Sequence, residues 1–186
     1  MKKKIATALA ALLLAISVIA SSPALAAEEA PSTYLLLNVE ADGVFSVRDL
    51  VFTNLETGEE VWFRDLLGLG RAGSRQYLMQ SLPAGEYILS RIYPTVNGND
   101  NAPSIEAGER DGVITILADT INYIGDFILE SRERGRGVRS SFNYEPNSNT
   151  LIAAVTAERE LFETLDVAIS IAGNPPIAVD KQLLGL

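Results

Sequence analysis

The chain has 186 residues, with 15 Lys+Arg against 24 Asp+Glu, no histidine and no cysteine. The two missing residue types exclude Ser-His-Asp and Cys-His nucleophile systems, histidine acid/base work and zinc held by nitrogen or sulfur. Three lysines and no acids fall in residues 1–26, so the remainder holds 12 basic and 24 acidic side chains, a surface that argues against non-specific binding to nucleic acid or anionic lipid.

Met1-Lys2-Lys3-Lys4 is a short cationic start. An apolar run from Ile5 to Ala20 follows, interrupted by Thr7 and Ser17, and then come Pro23 and Ala24-Leu25-Ala26. A positive segment, an apolar segment and a small-x-small site in that order read as a secretory signal peptide. Residues 1–26 are therefore expected to be removed, leaving a single domain over 27–186. That length supports a core of its own, without disulfides. No cysteine follows the apolar run for lipidation, and no later stretch is apolar for long enough to span a membrane. The expectation is a periplasmic, non-lipidated chain with no transmembrane segment.

Beyond the leader, short apolar runs alternate with turn clusters. Thr33–Val39 reads as a buried strand and Ala41-Asp42-Gly43 as a turn. Val47–Thr53 and Glu60–Phe63 read as strands joined by Asn54–Glu59, with β-branched and aromatic residues bounded by Gly, Asn and Asp. The glycine-rich segment 65–74 reads as a loop, and Arg75–Ser81 as a strand. Pro83-Ala84-Gly85 is a tight turn. In Glu86–Tyr93, alternation puts Tyr87, Leu89, Arg91 and Tyr93 on one face, with Ile88 and Ile92 on the other. Pro94–Gly112 is a long polar loop, and Val113–Leu117 a short strand.

Ile121–Glu130 has the clearest period of two. It places Ile121, Tyr123, Phe127 and Leu129 on one face, and Asn122, Ile124, Asp126, Ile128 and Glu130 on the other. Gly125 inside it predicts a bulge or a close approach of another segment. Arg132–Arg139 reads as a charged loop. Arg139–Tyr144 and Leu151–Val155 read as strands around a hairpin turn at Glu145–Asn149. Leu161, Phe162, Leu165, Ala168, Ile169 and Ala172 recur at steps of three and four, predicting one amphipathic helix near 157–172. Thr156 would cap it, and Gly173-Asn174-Pro175-Pro176 would stop it. The chain is thus expected to be mainly β, an antiparallel β-sandwich with one C-terminal helix.

Two segments carry a resemblance. Leu82-Pro83-Ala84-Gly85-Glu86-Tyr87 is similar to the turn that opens a strand in transthyretin-like and carboxypeptidase-regulatory-like sandwiches. Ile121-Asn122-Tyr123-Ile124-Gly125-Asp126 resembles the Tyr-x-Gly-Asp strand of an uncharacterised bacterial family of exported proteins and lipoproteins. The resemblance covers about residues 82–130 and implies a prealbumin-like sandwich in which Pro83, Gly85, Tyr87, Tyr123, Gly125 and Asp126 are structural. It implies no activity, and this chain lacks the cysteine of the lipoprotein members.

Few groups invite chemistry. Alternate oxygen ligands in Asn97-Gly98-Asn99-Asp100-Asn101 suit an exposed turn better than calcium, because the carboxylate density of a calcium loop is missing. Strand parity sends Tyr123 and Asp126 to opposite faces, so a joint site is not expected. The structural reading is a buried Tyr123 anchoring the sandwich and Asp126 bonded to a loop. Arg132, Arg134, Arg136 and Arg139 are the one cationic cluster after residue 26. They suit either a solvated loop balanced by Glu130 and Glu133, or a grip on carboxylate or phosphate groups of an envelope protein or anionic envelope component. No catalytic, cofactor or metal motif is read from the chain. The expected role is non-catalytic binding or envelope association. A carbohydrate- or small-ligand-binding module is the alternative, and a carboxylate-pair hydrolase comes behind it. An exposed sheet edge would favour the first, exposed aromatics such as Trp62 or Tyr93 the second, and a pocket with two close carboxylates the third.

Overall fold

In a computed structural model the described residues are 32–67, 77–96 and 102–186. The segments read above as a signal peptide and as the 97–101 turn lie outside them, as does most of the 65–74 loop. Among the described residues eleven strands form two sheets. The first holds β1 (Tyr34–Gly43), β4 (Leu78–Ser81), β8 (Thr120–Arg134), β9 (Gly137–Glu145), β10 (Asp166–Ile169) and β11 (Ile177–Ala178). Its order is β11-β10-β8-β1-β4, with β9 beside the far half of β8. The second holds β2 (Ser46–Asn54), β3 (Glu60–Phe63), β5 (Gly85–Thr95), β6 (Ile105–Glu106) and β7 (Ile114–Ile116), ordered β3-β2-β5-β6 with β7 also on β5. The sandwich reading holds. The second sheet is antiparallel throughout, whereas β1 and β10 each run parallel to β8 in the first.

Leu35 and Leu37 of β1 face the second sheet, packing with Leu50, Phe52, Phe63, Leu89, Ile92 and Phe127. Leu36 faces the other way, into a smaller cluster with Tyr123, Leu151, Val155 and Phe162. Both faces of β1 are thus covered here, which is why Leu35-Leu36-Leu37 is apolar without alternation. The outer cover is helical: α1 (Ser148–Ala157) and α2 (Arg159–Thr164).

This end of the chain differs from its sequence reading. Leu151–Val155, expected as a strand, lies in α1, with Leu151, Ala154 and Val155 buried and Ile152 56 % exposed. Those buried positions are the i, i+3, i+4 stripe of a helix, which a run of five apolar residues does not distinguish from a strand. Glu145–Asn149 is no hairpin turn but the entry to α1, with Asn147 as its N-cap. The helix expected over 157–172 ends at Thr164, and Asp166–Ile169 is a strand beside Thr120–Tyr123 of β8. Leu165 is already extended (φ −95°, ψ 152°), and the edge of β8 supplies backbone partners that favour Val167 and Ile169 as strand residues. Thr156 does not cap a helix; its hydroxyl donates back to Ile152 O inside α1.

Bulges explain the remaining differences. Leu36 of β1 stands opposite Tyr123 and Asn38 opposite Asp126, so two steps on β1 match three on β8. The extra residue reverses the parity of everything after it. Ile121 and Tyr123 consequently face the helices, while Ile124, Phe127 and Leu129 face the second sheet. Gly125, in this bulge, has φ +90°, and a Cβ there would stand 3.0 Å from Glu145 O. Both alternatives read from its sequence position, a bulge and a close approach, are present. The same device occurs in β5, where Val51 faces Arg91 but Phe52 faces Leu89. Tyr87 and Leu89 therefore share the core with Ile92, and Arg91 and Tyr93 turn outward instead. β1 also runs through Asp42 and Gly43, where a turn was expected.

Gly125→Val should cost about 2–4 kcal/mol, because a β-branched residue at this φ is strained and also meets Glu145 O. Chemical denaturation of both proteins measures it, and an unchanged midpoint would remove Gly125 from any special backbone role.

Candidate functional site

Because the bulge restores Tyr123 and Asp126 to one face, the two side chains meet. This corrects the opposite-face expectation. Tyr123 is 1 % and Asp126 2 % exposed. The Tyr123 hydroxyl lies 2.9 Å from Asp126 Oδ1 and accepts from the Asn147 N–H at 2.9 Å. Its single proton has a second acceptor, Asn147 O, at 3.2 Å; the nearer, charged carboxylate is the stronger partner. Asp126 Oδ2 accepts from Asn147 Nδ2 at 2.7 Å, Thr150 Oγ1 at 3.1 Å and Asn38 Nδ2 at 3.2 Å. Four donors thus meet one carboxylate, one at Oδ1 and three at Oδ2.

The donors come from β1, β8 and the first turn of α1. Asn147 also caps that helix, its Oδ1 accepting from Asn149 N–H. Among the described residues Asn38 Oδ1 has no partner. Turning the amide over would set that oxygen against the carboxylate, so Asp126 dictates the orientation. The cluster is buried away from any reactant, and apart from Asn38 Oδ1 its side-chain polar atoms are bonded within the protein. Its role is to join the sheet to its helical cover. The expected bond from Asp126 to a loop exists, in Asn147.

Asn122, one residue before Tyr123, is a second buried polar joint, which the sequence reading missed. It is 0 % exposed. Its amide closes on both backbone groups of Leu117, accepting at 2.9 Å and donating at 3.0 Å, and Oδ1 also accepts from Ser170 Oγ at 3.2 Å. The turn at Leu82–Tyr87 is structural as well. Tyr87 donates to Pro83 O at 2.9 Å. Gly85 has φ +149°, with the Asn54 side chain 2.9 Å from where a Cβ would stand.

The four arginines expected in a loop sit on a hairpin. β1 stops at Gly43, opposite Ser131, and beyond that point β8 pairs, among the described residues, only with β9. Residues 132–139 are a two-stranded arm turning at Gly135-Arg136, and all of them are exposed. Arg132 stands directly opposite Arg139, so Arg132, Arg134 and Arg139 share one face, with Arg136 at the tip; Glu133 and Val138 share the other. Arg132 reaches back to Asp42, with Nη2 2.5 Å from Oδ2 and Nη1 3.0 Å from the backbone oxygen. The hydrogen bond and charge of Arg132 lower the Asp42 pKa, and the same contacts raise that of Arg132. Arg134, Arg136 and Arg139 have no ion-pair partner among the described residues.

Other surfaces are less open. On the outer face of the second sheet Trp62 and Tyr93 stack at 5.3 Å. Arg64 lies 4.7 Å and Arg91 5.9 Å over the indole, and Arg48 5.7 Å over the phenol. Arg91 also pairs with Glu60. Both rings are half-buried and already contacted, unlike the free aromatic platform that a sugar ring lies on. An open cleft of about 540 Å³ is lined by Ile88 and residues 106–111, three of them acidic. Asp111 there accepts from Gly108 N–H, and Glu106 from Ser104, so two of these carboxylates serve local turns. No described helix is long and apolar enough to cross a membrane.

No family model, curated protein or solved structure matches this chain.

Burial, opposed by the Asn147 N–H and reinforced by the charge and hydrogen bond of Asp126, raises the Tyr123 pKa above the ordinary tyrosine value, and burial does the same for Tyr144. A raised folded value means that these phenols favour folding below the unfolded pKa of about 10, and that this contribution fades as pH rises towards the folded value. In a titration at 295 nm Tyr123 and Tyr144 should therefore stay neutral beyond about pH 11, ionising only with unfolding. Tyr123→Phe should reduce the number of late-ionising phenols by one. Full ionisation of all six before unfolding would contradict the geometry.

Proposed function

We propose that this chain is an exported, non-catalytic binding protein of the periplasm, and that it docks on an anionic envelope component through the β8–β9 arm. One observation carries the reading: Arg132, Arg134, Arg136 and Arg139 lie on a ribbon that extends past the sheet. The arm bears four arginines and one acid, Glu133, on a chain whose net charge is −9. It buries nothing apolar of its own, so stability does not account for its composition. Guanidinium groups on a two-stranded ribbon suit carboxylate or phosphate partners, which they grip with paired N–H donors.

The exported location rests on the order of charge, apolar run and Ala24-Leu25-Ala26 at the start of the sequence. The non-catalytic reading rests on the missing histidine and cysteine, and on the use of Tyr123 and Asp126 as a closed structural joint. The covered state of Trp62 weighs against the carbohydrate-binding alternative.

Two measurements test this. Expressed in a Gram-negative host, the protein should appear in the osmotic-shock fraction with its mass starting at Ala27; an intact Met1 terminus on most molecules would refute export. Changing all four arginines to Ser should leave the denaturation midpoint unchanged but abolish retention on lipopolysaccharide or peptidoglycan fragments. Wild-type retention should fall steeply with salt, because exposed charges are screened beyond about 8–10 Å. Equal, salt-insensitive retention of both proteins would reduce the arm to a solvated hairpin.

A further inference from the structure

β9 is the free edge of the far half of the first sheet. It pairs with β8 over all nine residues, Gly137–Glu145, without a register shift. Among the described residues no strand pairs with its other side. A two-residue turn closes on a hydrogen-bonded pair, here Arg134 with Gly137, and bonding then alternates along the ladder. Val138, Ser140, Phe142 and Tyr144 therefore aim their N–H and C=O groups away from β8. Long regular edges of this kind pair with foreign strands, and proteins usually blunt them with proline, a bulge or a short strand. β9 has none of these between Gly137 and Glu145.

We propose that this edge takes up an extended acidic peptide as one more strand. The claim rests on the reading of the arm as an anion-docking element, and it names the partner's chemistry. Charge selects the occupant at the turn end of the edge. Arg139 lies on β9 itself, and Arg132 and Arg134 lie on the same face one strand further in, within reach of carboxylates at alternate positions of an added strand, while Glu130 and Glu145 stand on that face towards the other end. A second copy pairing antiparallel along the whole edge would set Arg139 opposite Asn143 and Gly137 opposite Glu145, so it brings one carboxylate near the arginines where an acidic peptide brings one at every second position. A lipid or polysaccharide surface supplies charge but no row of backbone donors and acceptors.

The test uses a nine-residue peptide of alternating Glu and Thr, the same peptide N-methylated along one edge, and dextran sulfate, a polyanion without a peptide backbone. Fluorescence anisotropy at low salt should show the parent peptide binding wild type at least tenfold more tightly than the N-methylated one. Ser140→Pro, which removes one outward N–H, should lose the parent peptide yet bind dextran sulfate as wild type does. If that variant misfolds, the two peptides on wild type decide alone. Equal binding of both peptides would overturn the proposal while leaving the arm an electrostatic docking site. Failure of both peptide and dextran sulfate would remove the anion-docking reading with it. A peptide-free dimer that Ser140→Pro dissolves would assign the edge to a second copy and overturn the peptide as its occupant.

Discussion

Asp126 is a buried carboxylate with no ion pair among the described residues, and the rest of the fold is arranged to satisfy it. An unpaired charge in a core is costly, and neutral donors must replace the water it has lost. Here Asn38 comes from β1, Tyr123 from β8, and Asn147 and Thr150 from the entry to α1. Those bonds fix the register of two parallel strands and the start of a helix around one point. A polar node of this kind specifies one arrangement, because a slip of either strand, or a different helix entry, leaves donors or acceptors without partners. The apolar clusters on the two faces supply most of the burial but would tolerate more than one such arrangement.

The node depends on a backbone irregularity. In a regular strand Tyr123 and Asp126 would face opposite ways, and Asp126 would enter the apolar layer between the sheets. The extra residue at Ile124-Gly125 turns the carboxylate to the helix side and keeps Phe127 and Leu129 pointing inward. Glycine is needed there for its positive φ and for the passage of Glu145 close by. The spacing of tyrosine, glycine and aspartate in Tyr123-Ile124-Gly125-Asp126 thus has a physical reason in this chain. The Pro83–Tyr87 turn has one too, a phenol returning to the carbonyl four residues earlier.

Much of this architecture is legible in the sequence, and its failures share causes. β2, β3, β5 and β7 fall where β-branched and aromatic runs stand between turn residues, because local pattern and burial agree there. Facial assignments fail after Gly125 and after Ser90, since one inserted residue reverses a period of two and the sequence does not announce the insertion. The C-terminal third fails for another reason. Leu151–Val155 is too short an apolar run to choose its own conformation, and Asn147, held by Asp126 and Tyr123 from 21 and 24 residues away, chooses for it. Asn147 after Pro146 is the N-cap signal that the sequence does carry for this helix. Asn122 is invisible for the same reason, because its partners Leu117 and Ser170 meet it only in the folded chain. The arginines were legible as a cluster, but their shared face emerges only from the register of the hairpin.

The division of labour follows from these placements. The conspicuous Tyr-x-Gly-Asp segment, the kind of phenol–carboxylate pair that invites a catalytic reading, is closed and structural. The open chemistry lies at the far end of the same strand, where β8 leaves β1 and carries its arginines outward with β9. A double-mutant cycle between Tyr123→Phe and Asp126→Ala, read by chemical denaturation, tests the central joint most directly. The phenol and carboxylate should be coupled by about 1–3 kcal/mol, since each change removes the partner of the other. Additivity within about 0.5 kcal/mol would contradict the account and leave Asp126 without the role assigned to it.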